Sequence, residues 1–165
     1  MTRSQFALTG NVKLYEFPSD YTYQKIQELS QKEKDNFLKD TGDNLVVDVG
    51  LAQIADLMIA TNTNSFAYCV VGSGTNTPAA GDTNMQTIIG TGPAVTNRYR
   101  SGSVAYFDTF FSTSANAGTW NETGISTTNA GTVLLCRRKF SSSFVKSSSN
   151  TALVAWTITL AAVAD

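Results

Sequence analysis

The sequence contains no histidine, and its two cysteines, Cys69 and Cys136, do not form a CxxC pair. Protein zinc centres draw on clustered Cys and His, so no metal site is expected. Charged residues make up only 15% of the chain and the net charge is −1, which leaves out the dense basic face of a nucleic-acid binder. The charge is uneven: residues 1–56 carry six basic and nine acidic groups, and the remainder carries six and four. No apolar run approaches the ~18 to 20 residues of a membrane span. The N-terminal MTRSQFALTGNVKLY lacks the apolar core of a signal peptide. These absences predict no cofactor, no nucleic-acid or membrane partner, and synthesis in a cytoplasm.

Small hydroxyl and amide residues fill the space that charge leaves. At 165 residues the chain is long enough for a real core, and its apolar residues fall in clear segments rather than scattering. That combination suits a β-rich protein that meets other protein surfaces.

Met1 to Asp20 reads as an extended arm. Phe6, Leu8, Val12, Leu14 and Phe17 are spaced mostly by two, with Pro18 as a stop. Such an arm forms a strand of its own domain or lies on a neighbouring subunit. Read as an attachment device, it predicts that deleting Met1 to Phe17 leaves a folded domain. Tyr21 to Asp40 is the most polar segment. Ser30, with Glu33 three residues on, has the form of a capping box and predicts a helix over Gln31–Lys39.

Leu45–Ala60 carries the clearest helical pattern. Val47, Leu51, Ile54, Ala55 and Met58 fall at i, i+4, i+7, i+8 and i+11, one face of a helix over about residues 48–60. Asp48 is placed to cap it, and Leu45–Val47 to form a short strand before it. Phe66–Val71 then reads as a buried strand. It ends in VGSGTNTPAAGDTN, where Gly72, Gly74 and Gly81 permit positive φ and Pro78 stiffens the turn. The Gly72-x-Gly74 pair lacks the remaining glycine, lysine and helix of a phosphate loop. Further strands are expected at Ser103–Ser112, Trp120–Ile125, Thr132–Phe140 and Thr151–Val163. Ser141–Asn150 reads as a serine-rich loop whose Phe144 and Val145 need a partner surface.

The predicted architecture is mainly β: an antiparallel sandwich or barrel with one short helix and an extended N-terminal arm. Two parts follow, 1–43 as arm plus charged segment and 44–165 as the β-rich structural domain. Each cysteine lies in an apolar strand-like run, as small core residues do; a disulfide requires neighbouring strands and an oxidising compartment. Arg98-Tyr99-Arg100 and Arg137-Arg138-Lys139 read as solvated or interface charge. Asp108 and Glu122, on adjacent predicted strands, are the minimum for glycoside hydrolysis, but five acidic groups after Asp48 give that chemistry little support.

Four segments stand in a fixed order: NLVVDVGLAQIADLM, AYCVVGSGTNTPAAGDTNM, GTWNETGI, and TVLLCRRKF with the terminal LVAWTITL. Together they resemble a family of small structural proteins of tailed bacteriophages, with NLVVNxGLxxIAxLL, VGxGTxxPxxxDTxL, GTWxExGL and LLxRxxF elements. The resemblance covers roughly Asn44 to Leu160, with Met85 where the family has leucine. It implies a compact, non-enzymatic β-domain, often a homotrimer, carried on a viral scaffold. The function expected on that basis is capsid decoration: binding the major capsid protein and copies of itself on the outer capsid surface, after synthesis in a bacterial host. The alternative is a tail, fibre or baseplate module binding a host receptor, with Trp120 and Tyr99 stacking on a glycan. The candidate interface residues are Phe6, Leu8, Val12, Leu14, Phe17, Phe144 and Val145. No catalytic, cofactor or metal residues are predicted.

Overall fold

A computed structural model describes residues 5–163, with side chains from 7 to 161. The chain order is β1 (Gln5–Pro18), α1 (Tyr23–Gln27), α2 (Gln31–Asp35), β2 (Leu38–Asp43), β3 (Leu45–Val46), α3 (Asp48–Ile59), β4 (Tyr68–Gly72), β5 (Asn97–Ser101), β6 (Val104–Phe111), β7 (Gly118–Ser126), β8 (Leu134–Lys146) and β9 (Asn150–Val163). Two antiparallel sheets form, in the orders β2-β1-β9-β6-β5 and β3-β8-β7-β4. They are not closed into a barrel, so of the two predicted architectures the sandwich is the one observed. Among the described residues three helices form: the two expected near 31–39 and 48–60, and the short α1, which was not expected.

The sandwich core follows from strand alternation. Val154, Trp156 and Ile158 of β9 share the inner face with Val12 and Leu14 of β1 and Phe111 of β6. They meet Trp120 and Ile125 of β7, Leu135, Cys136, Phe140 and Phe144 of β8, and Cys69 and Val71 of β4. The outer face of the larger sheet is also partly covered. Tyr15, Phe17 and Leu153 point outward from the larger sheet and pack under Ile26, with Tyr21, Leu29 and Phe37 around them. The Phe17 ring lies 4.6 Å from Phe37 and 5.4 Å from Tyr21. The polar segment after Asp20 is therefore a lid, held down by a few aromatics.

The N-terminal arm is a central strand of its own chain. β1 pairs with β9 from Gln5–Val163 to Pro18–Asn150 and carries β2 on its other edge. The division at residue 43 does not mark a structural break, because β1 lies between strands from both sides of it.

Local signals place the helices better than their faces. Ser30 and Glu33 form the capping box: Glu33 Oε2 accepts from Ser30 N at 2.8 Å and Ser30 Oγ from Glu33 N at 3.4 Å. That helix stops at Asp35 rather than Lys39, because Leu38–Asp43 pairs with β1 instead. In α3 the N-cap position belongs to Val47, with no side-chain cap bond, and Asp48 opens the first turn, where a carboxylate suits the helix dipole. The strand β8 runs on through Ser141–Ser143 to Lys146, so the serine-rich stretch is sheet rather than loop. Gly118, Thr119 and Trp120 pair with Lys146, Val145 and Phe144 beyond the serines, across a register shift between Trp120 and Glu122, and context outweighs weak β-propensity.

The cysteine geometry is set by strand order. Ile125 of β7 is the register partner of both Cys69 in β4 and Cys136 in β8. Two strand spacings of about 4.8 Å put the cysteine Cα atoms about 10 Å apart, beyond the ~7 Å that a disulfide spans. Both thiols are free and buried. Burial pushes Cys69 up to about 11 and raises Cys136 as well. Electrophoretic mobility is expected to be identical with and without reductant, and a thiol reagent should label the protein only after unfolding. Rapid labelling of the native protein would contradict this packing.

Candidate functional site

Three of the sequence motifs converge on one buried ion network. Glu122 of the GTWNETGI segment is fully buried, and Arg137 of TVLLCRRKF is 2% exposed. Arg137 Nε donates to Glu122 Oε2 at 2.6 Å and its Nη1 to Asp82 Oδ2 at 2.5 Å. Its Nη2 donates to the Asn76 carbonyl at 3.2 Å. The second oxygen of Glu122 accepts from the backbone N–H groups of Gly74 at 3.2 Å and Thr87 at 3.0 Å. Every strong polar group of the cluster thus points at the loop after β4 and ties it down on both flanks. Burial pushes the Asp82 carboxyl up, but the Ala79 N–H and the Arg137 guanidinium outweigh it and hold it below the ordinary carboxylate range.

The glycines of this loop have a different use from the expected one. Gly72, Gly74 and Gly81 are not among the positive-φ residues. At Gly72 and Gly74 a Cβ would strike the Glu122 carboxylate, and at Gly72 the Thr87 carbonyl as well. These two positions require glycine for close approach, so that a side chain from β7 can reach the loop backbone.

A second buried pair lies beside it. Arg138, 8% exposed, binds the Asp40 carboxylate, which also accepts from Ser141 N at 2.7 Å. Arg138 Nη1 donates to the Asp43 carbonyl at 3.0 Å, fastening β2 to β8. Arg137 and Arg138 are therefore structural cations, which corrects their reading as solvated or interface charge. Arg98 and Arg100 are exposed on the edge strand β5.

The carboxylates considered for glycoside chemistry do not meet. Asp108 stands on β6 of the larger sheet and Glu122 on β7 of the smaller one, so the predicted adjacency is wrong. Glu122 is already consumed by Arg137 and two backbone amides. Trp120 is fully buried, donates to the Asn116 carbonyl at 2.8 Å and packs edge-on against Phe111 at 4.8 Å and Phe144 at 5.2 Å. It has no face left for a glycan. Among the described residues no cluster of three or more His, Cys, Asp or Glu could hold a metal ion. None of the described helices is long and apolar enough to cross a membrane.

The structure divides the candidate interface residues. Val12, Leu14 and Phe17 are buried in their own chain, as is Phe144, because the pleat turns each toward a core. They are removed from the candidate interface in this fold. Leu8 is half-buried against the sandwich core. Phe6 lies in β1 opposite Ala162, and its side chain is outside the described residues. Among the described side chains of the set, Val145 alone stands well exposed, at 62%.

The main exposed apolar surface is on α3, where the sequence pattern predicted a buried face. Gly50 packs on the backbone of Leu134 and Leu135, and Gln53 is buried through bonds to the carbonyls of Asn62 and Asn64. Val47 is buried and Ile54 half-buried, as expected of the inner face. That close seat on β8 turns Leu51, Met58 and Ile59 outward; Met58 is 82% and Ile59 70% exposed. The 12-residue helix carries only Asp48 and Asp56 as charges. Periodicity reveals that a stripe exists but not which side of the helix the sheet accepts, and Gly50 with Gln53 one turn on was the missed signal. Comparison with known protein families, curated proteins and solved structures finds no match.

Proposed function

We propose that the chain is a bacteriophage virion structural protein, a decoration or cement protein that binds the major capsid protein and stabilises the head, assembling as a homotrimer. The observation that carries this reading is the uncovered apolar face of α3. An exposed Leu, Met and Ile on a helix that is otherwise firmly seated is a surface built for another protein. Burying such side chains contributes about 1.5–3 kcal/mol each. Repeated over many copies, contacts of this size hold a coat without any deep pocket. The motif residues of the resemblance support the same reading, since they are spent on holding a loop rather than on chemistry.

Copy number in purified virions is the direct test. Decoration predicts copies on the order of hundreds per particle, matching the repeated symmetry of a capsid lattice. A count in the tens or below would move the protein to the tail. Met58→Glu combined with Leu51→Glu is expected to release the protein from heads while leaving its thermal transition nearly unchanged, because both side chains already face water. Undiminished head binding by this variant would remove α3 from the interface.

A further inference from the structure

The α1–α2 lid covers only part of the outer face of the larger sheet. Beside it lies a cavity of about 250 Å³. Its floor follows from strand register. Across β6, β9 and β1, Asp108 is opposite Ala155, and Ala155 is opposite Lys13. A methyl group between two longer side chains leaves a depression. In the next row Tyr99 of β5 pairs with Tyr106 of β6. Their rings stack with centroids 4.6 Å apart and planes at 8°, and Tyr99 is 52% exposed. Lys34 of α2 closes the rim.

Gln31 of this cavity bonds the Tyr15 hydroxyl at 3.1 Å, but its three charged groups, Lys13, Lys34 and Asp108, have no partner among the described residues. No hydrogen bond or ion pair among the described residues reaches the Asp108 carboxylate. Burial raises its pKa, and only the charge of Lys34 works in the other direction. Lys13 and Lys34 are half-buried and form no ion pair among the described residues. Nearby, the Tyr23 hydroxyl is buried with Asn97 as its nearest polar neighbour, and its pKa is raised by burial and then by the charge of Asp108. Partly buried polar groups without partners cost stability unless something supplies them.

The chemistry of the walls specifies the missing molecule. It must bring hydroxyl donors to Asp108 and an apolar C–H face to the tyrosine pair. It must also bring negative charge, because the lining carries two lysines and one aspartate. The volume lies below the ~300 Å³ at which drug-sized sites begin, so one ring fits and an extended ligand does not. We propose that this cavity binds a single acidic sugar residue, of the uronic-acid or sialic-acid class. Its carboxylate pairs with Lys13 and Lys34, and its hydroxyls donate to Asp108. The site stands independently of where on a particle the chain is carried.

Titration of the full chain with glucuronate, N-acetylneuraminate and glucose, followed by amide chemical shifts, tests this. One of the two acids should give saturable shifts at the amides of Tyr99, Asp108 and Ala155, with glucose weaker by roughly ten-fold or more. Asp108→Asn and Tyr99→Ala should each weaken the acid by roughly ten-fold. Ala155→Leu, which fills the floor, should abolish binding. Should that variant unfold, Tyr99→Ala at the sheet edge carries the decision. Absence of saturable shifts with either acid, equal binding of glucose, or binding unchanged in these variants would overturn the proposal.

Discussion

A chain lacking residues 1–17 is expected to show no cooperative thermal transition and no native-like near-ultraviolet spectrum. The sequence pattern alone led to the opposite expectation, a folded domain with a lost attachment arm. The reversal comes from where β1 sits. It pairs with β9 along its whole length and is the only strand that β2 pairs with among the described residues, so its removal breaks both pairings. It also takes Val12 and Leu14 from the sandwich core and Tyr15 and Phe17 from under the lid. Truncating one buried large side chain costs about 2–5 kcal/mol. Losing four of them, about 8–20 kcal/mol, is as large as the roughly 5–15 kcal/mol that holds a domain together, before the lost strand pairing is counted. Circular dichroism during heating reads the outcome. A truncated chain that melts cooperatively near the full-length temperature would return β1 to the status of a detachable arm.

Glu122→Ala is expected to be the most damaging single substitution outside the apolar core, at about 3–5 kcal/mol in urea unfolding. The cost arises from what remains. Arg137 stays buried with Asp82 as its one carboxylate, and the Gly74 and Thr87 amides lose their acceptor. Hydrogen exchange at those two amides should accelerate more than at the β7–β8 ladder, which separates loop release from general weakening. Replacing both partners, as Glu122→Leu with Arg137→Met, should cost less than Glu122→Ala alone, since no charge is stranded. Asp82→Asn should cost less again, because the Asp82 side chain is 24% exposed. The sign of the pH effect follows from Asp82. Its folded pKa is depressed, so its contribution is present above the ordinary carboxylate range and is lost as pH falls through the folded value. An Ala substitution at Glu122 that leaves both the unfolding midpoint and loop exchange unchanged would show that the network is dispensable.

Much of this fold is readable from short stretches of sequence. The alternation in β6 and β9, the apolar run of β4, the capping box at Ser30 and Glu33, and the span of α3 are all set within one pleat or one helical turn. A two-residue or 3.6-residue period is a local property, so the sequence itself determines that the chain is β-rich with a helix near residues 48–60, while sandwich or barrel is left to the tertiary structure. Tertiary structure decides what each face meets. Glu122 looks like any polar residue of an alternating strand until register places it beside Arg137 and under Gly74. The α3 stripe reads as buried until Gly50 shows which side β8 accepts. Cys69 and Cys136 are separated by Ile125, a residue distant from both in sequence. Whether an apolar arm packs in its own chain or on a neighbour depends on β9, which follows it by more than a hundred residues. Such pairings are choices among distant partners, made by register and burial together, and no local period contains them.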